Sequence, residues 1–104
     1  MIDVGRSAEA IPYFEAAVSL LKVGSDSWFS SVTNLGASYY YIKKYDKALE
    51  VLLKATNGRE VKTYRLIVIV YATTGQFDLA KKYLTLGLQK YPGDRVLLRL
   101  GSGI

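Results

Sequence analysis

Leu35-Gly36-Ala37-Ser38-Tyr39, followed downstream by Ala48-Leu49-Glu50-Val51-Leu52-Leu53-Lys54-Ala55, is the stretch whose spacing decides the fold. Ala48 stands four residues before Leu52 and seven before Ala55, which puts all three on one face of a helix. The same small–large–small spacing recurs at Ala10, Phe14 and Ala17, and again at Ala80, Leu84 and Gly87. The intervals between the three Ala residues, 38 and 32 positions, bracket the period of about 34 expected of stacked helix-turn-helix units. Upstream of each Ala the register holds. Val32, Leu35, Gly36 and Tyr39 in one unit align with Tyr64, Ile67, Val68 and Tyr71 in the next. Gly5, Lys43 and Gly75 fall five residues before the Ala, where a tight turn between two helices is required.

These residues resemble the tetratricopeptide repeat, W-x₂-L-G-x₂-Y, then A-x₃-F, then P. Residues 29–60 carry Leu35, Gly36, Tyr39, Ala48 and Ala55, and residues 61–94 carry Tyr71, Gly75, Phe77, Ala80 and Pro92. Residues 5–24, with Ala10-Ile11-Pro12-Tyr13-Phe14-Glu15, look like the second helix of a further repeat, and 95–104 like the start of another or of a capping helix. Val32 and Tyr64 stand where the family often has Trp, Val68 where it has a small Gly, and Lys43 where it has the turn Gly. The resemblance implies one all-α domain over 1–104, a right-handed superhelical solenoid of helical hairpins, with about two full repeats and half-repeats at each end.

Packing explains the residue types. Antiparallel helices approach closely when small residues (Gly36, Ala48, Ala55, Ala80, Gly87) face bulky ones (Leu35, Tyr39, Leu52, Ile67, Tyr71, Leu84). Tyr13, Tyr39 and Tyr71 are expected in the core, and Pro12 is expected to bend its helix. Leu66-Ile67-Val68-Ile69-Val70 has the composition of a buried strand, but its place within the repeat register makes it a helix buried on more than one side. Neither terminus looks capped. Leu97, Leu98, Leu100, Ile11 and Phe14 would lack repeat neighbours and promote self-association, and Gly101-Ser102-Gly103 reads as a flexible tail.

Composition narrows the function. The chain of 104 residues has no Cys and no His, which excludes thiol chemistry and removes the usual general base and metal ligand. With no clustered carboxylates either, no nucleophile–base pair can be assembled; the chain reads as a non-enzyme without a cofactor. No stretch has the length of a membrane span, and Met1–Arg6 lacks a signal peptide's basic start and apolar core, so the expected location is the cytoplasm. Charge is divided unevenly. Residues 1–60 hold seven Lys/Arg against seven Asp/Glu, whereas residues 61–104 hold seven against Asp78 and Asp94 alone, so the net +5 lies in the second part and an acidic partner is implied.

Family geometry implies which side chains meet that partner. The first helix of each pair lines the concave face, at Ser30, Thr33, Ala37 and Tyr40, then at Lys62, Arg65, Ile69 and Ala72, with Val96 and Arg99 continuing the row. Thr33, Asn34, Tyr40, Lys62, Arg65, Ile69 and Arg99 are therefore the candidate contacts for an acidic or extended peptide. Asn34 and Lys62 match positions of the family's clamp for a C-terminal carboxylate, but Leu66 occupies the place of its Arg. The alternative is an RNA-binding module resembling the pentatricopeptide repeat, suggested by Lys62-Thr63-Tyr64-Arg65-Leu66, by Gly75-Gln76-Phe77-Asp78 and by the basic second part. Leu35, Gly36 and Tyr39 fit the protein-binding family better, which disfavours nucleic acid.

Overall fold

The computed structural model describes residues 4–103, all of whose regular structure is helical. The helices are α1 (Val4–Leu20), α2 (Asp26–Tyr41), α3 (Tyr45–Leu52), α4 (Val61–Thr73), α5 (Phe77–Lys90) and α6 (Arg95–Gly103), with a 3₁₀ turn, Leu53–Ala55, extending α3. Met1–Asp3 and Ile104, included in the 1–104 span and in the reading of the N-terminus, lie outside the described residues. The chain divides into two compact units, Met1–Glu60 and Val61–Ile104. The division falls where the spacing puts the junction between the two full repeats, and where the charge balance changes.

In the N-terminal unit α1 packs on α2 and α2 on α3. Ser25 starts α2 as an N-cap, its hydroxyl accepting the Trp28 N–H at 3.2 Å, so the helix begins before Phe29, where the repeat was expected to open. That extra turn brings Trp28 into register with Val32, and the two share a core with Ala55, flanked by Val18, Leu21, Phe29 and Val51. Trp28 thus supplies, one helical turn earlier, the bulk missing at Val32. A methyl group built on Gly36 would run into the Leu52 side chain, so the absence of a Cβ there allows α2 and α3 to approach. Ala48 and Leu52 are fully buried as the repeat register requires.

In the C-terminal unit α4 packs on α5, and α6 packs on both. The β-branched run is helical. Ile67, Val68 and Val70 are fully buried within α4 and Leu66 nearly so, while Ile69 is half-buried, which is the multi-sided burial its composition implies. Across the hairpin Ala80 and Gly87 are the buried small residues of α5. A Cβ on Gly87 would lie 3.1 Å from Leu97 Cδ1 and 3.1 Å from Tyr64 Cβ, so Leu97 of α6 fills a slot that glycine leaves open.

The two hairpin turns repeat bond for bond. After α2, Lys43 adopts φ +64° and the Lys44 N–H donates to the Tyr39 carbonyl at 2.9 Å. After α4, Gly75 adopts φ +77° and the Gln76 N–H donates to the Tyr71 carbonyl at 2.8 Å. This is the left-handed residue with a six-to-one bond that closes many helices. Lys43 takes the glycine position at a conformational cost.

Four expectations are corrected. Gly5 lies in the first turn of α1 instead of a hairpin turn. Tyr13 is 74% exposed, because it falls on the face of α1 turned away from α2. Leu97 is fully buried, because α6 folds back onto its own unit. Gly101-Ser102-Gly103 continues that helix, with Gly101 close against Leu84. α1 itself runs through Pro12 without interruption.

Candidate functional site

The candidate residues divide between the two units. On α2, Thr33 is fully buried and Asn34 half-buried. Thr33 therefore presents no surface to a partner. Tyr40, at the C-terminal end of α2, is half-buried among aromatic neighbours, with ring centroids 5.4 Å from Tyr41 and 5.9 Å from Tyr45. Tyr39, its neighbour in sequence, faces inward. Burial raises its phenol pKa, and Glu15 and Glu50 add to the shift.

On α4, Lys62, Arg65 and Ile69 follow one another at three- and four-residue steps, a single helical face. Lys62 is exposed, Arg65 part-exposed and Ile69 half-buried, while Leu66, at the clamp-arginine position, is buried. On α6, Arg99 is exposed. Three cations of the positive unit are thus carried by two helices that pack together, α4 and α6.

Arg65 is not an isolated charge. Its Nε donates to Asp94 Oδ2 at 3.1 Å and its Nη2 donates to Asp94 Oδ1, a bidentate pair. The bond from Arg65, with a smaller contribution from the Leu97 N–H, holds the Asp94 carboxyl below the usual carboxylate range, and the same bond raises the Arg65 pKa. Asp94 also caps α6, its Oδ2 accepting the Leu97 N–H at 2.9 Å. Charge counting treats Asp94 merely as one of two acids in a basic segment. The signal that identifies its role is an Asp placed two residues before the apolar run Val96-Leu97-Leu98, the sequence mark of a helix N-cap.

Behind this face the tyrosines of α4 are structural. Tyr71 stacks on Tyr83 at 5.6 Å and Tyr64 meets Tyr91 edge-on at 6.3 Å. Burial, and then Tyr83, raises the pKa of both Tyr64 and Tyr71, so these phenols stay neutral at physiological pH. Lys82 and Lys90 lie over Tyr83 and Tyr64 at 5.5 and 5.9 Å. Among the described residues no group of three or more His, Cys, Asp or Glu side chains is arranged to hold a metal ion, and no helix is long and apolar enough to cross a membrane.

No curated protein and no solved structure matches the chain. A family model does, over residues 29–57, and its description is tetratricopeptide repeat. The match takes in most of α2, the Lys43 turn and the whole of α3, the hairpin in which Gly36 and Leu52 meet. Residues 29–57 are thus similar to the tetratricopeptide repeat, and the hairpin that follows them closes with the same turn.

Proposed function

We propose that the chain is a non-catalytic, cytoplasmic scaffold that binds an acidic, extended peptide segment of a protein partner. Repeats of this family mediate protein–protein interactions in general; the acidic character of the segment is the finer reading. It is carried by one observation. The whole net charge of +5 belongs to residues 61–104, and within that unit Lys62 and Arg65 stand on α4 with Ile69 one turn further along the same face, while Arg99 stands on α6, which packs on α4. Arginine and lysine beside a half-buried aliphatic residue suit a peptide that offers carboxylates next to an apolar side chain. Tyr40 and Asn34, without Thr33, are candidate contacts of the N-terminal unit taken by itself. Self-association is assigned to α1, where Tyr13 and Leu20 are exposed.

The test is a titration of fluorescein-labelled hexaglutamate into the full chain at physiological salt. Each exposed ion pair is worth about 0.2–1 kcal/mol, and reversal adds repulsion, so Lys62→Glu with Arg99→Glu weakens binding about tenfold. The matched control, Lys81→Glu with Lys82→Glu on α5, carries the same charge change and alters affinity less than about twofold. Equal losses from the two pairs reduce the effect to net charge and overturn the assignment of the face. Tight binding of a labelled oligonucleotide, steeply salt-dependent, with no binding of hexaglutamate, overturns the peptide reading itself.

A further inference from the structure

Asp94 serves two elements with one carboxylate. Toward α4 it occupies Nε and Nη2 of Arg65, the edge of the guanidinium that an incoming carboxylate would use for a two-pronged bond. Toward α6 it accepts the Leu97 N–H, a donor that has no partner within the helix. The Arg65 side chain is 33% exposed and the Asp94 side chain 10%, so the cation is open to solvent while its carboxylate is covered. A single part-exposed pair of this kind contributes little to stability, so several competing carboxylates acting together can displace it.

We propose that Asp94 is an internal stand-in for the partner's carboxylate: an acidic segment docking at Arg65 displaces it, and the first turn of α6 loses its cap as the partner binds. The inference deepens the peptide-binding reading and rests on it. Occupation of Arg65 by Asp94 sets a threshold. A lone weak carboxylate does not displace a tethered one that also caps a helix, whereas a segment with several carboxylates, held as well by Lys62 and Arg99, does. Leu97, fully buried against Gly87 and Tyr64, keeps α6 attached to the unit while its first turn loosens.

Hexaglutamate is the probe, with anisotropy for affinity and amide hydrogen exchange for the state of α6. In the wild-type chain, saturating hexaglutamate speeds exchange at Val96, Leu97 and Leu98. Asp94→Ser keeps a capping oxygen but frees Arg65. If Arg65 is unoccupied about a tenth of the time in the wild type, this variant binds about tenfold more tightly, and its α6 exchange does not change when peptide is added. Arg65→Gln binds more weakly than wild type and shows no rise in exchange. Equal affinities of wild type and Asp94→Ser, with α6 undisturbed, overturn the displacement and leave acidic-peptide binding standing. Failure of both chains to bind overturns the two together. Should Asp94→Ser fold poorly by circular dichroism, the wild-type exchange measurement decides alone, and unchanged α6 exchange at saturation overturns the displacement.

Discussion

At φ +64° Lys43 holds a backbone conformation that an L side chain enters at a cost of about 1–2 kcal/mol. Gly75 holds the equivalent position without that cost, and nothing lies within 4 Å of where its Cβ would be. The two turns therefore form a matched experiment. Lys43→Gly relieves strain but adds freedom to the unfolded chain, leaving a net gain of about 0.5–1 kcal/mol, whereas Gly75→Ala loses about 1 kcal/mol or more. Thermal melts followed by circular dichroism read both, and a melting temperature that falls on Lys43→Gly contradicts the strain. The turn positions are legible in the sequence because their spacing to Ala48 and Ala80 is fixed. The engagement of Arg65 by Asp94 is not, since 29 residues separate the two and no local pattern links a helix face to a cap on a later helix.

Elements were legible wherever small and large residues recur at helical spacing: the α2–α3 and α4–α5 hairpins follow from Gly36, Ala48, Ala80 and their bulky neighbours. The end of the sixth helix, where Gly101-Ser102-Gly103 reads as a flexible tail, was misread for a physical reason. Arg95–Gly103 carries two glycines and a serine, poor helix formers, and its stability comes from tertiary burial of Leu97 and the Asp94 cap, neither visible to local propensity. Leu97→Ala empties the slot beside Gly87 and Tyr64 and costs about 2–5 kcal/mol. Gly87→Ala overfills the same slot and costs about 1–3 kcal/mol. Chemical denaturation measures both. If neither moves the midpoint, α6 does not contribute to the fold of its unit.

At the scale of the whole molecule, charge and architecture change at the same place, residue 60 to 61. The balanced N-terminal unit and the strongly positive C-terminal unit give the chain an electrostatic polarity that composition alone reveals, though not which cations are already engaged. Acid stability follows from one of them. Because Arg65 lowers the pKa of Asp94 in the folded chain, the pair's contribution is complete above the ordinary carboxylate value of about 3.9 and disappears as pH falls through the lower folded value. The difference in melting temperature between wild type and Asp94→Asn is accordingly constant from about pH 7 to pH 5 and shrinks below about pH 4. A difference undiminished at about pH 2 would show that the ionised form of Asp94 adds nothing to stability.

The slot left by Gly87 also constrains how the chain can be rebuilt. Any segment grafted in place of α6 must return a branched aliphatic side chain to the depth of Leu97 and an acceptor to the register of Asp94. A graft chosen only for helical content would leave Tyr64 and Gly87 facing water. Extension or exchange at this end is thus governed by one knob and one oxygen, a compatibility code that can be checked on paper before a chimera is made.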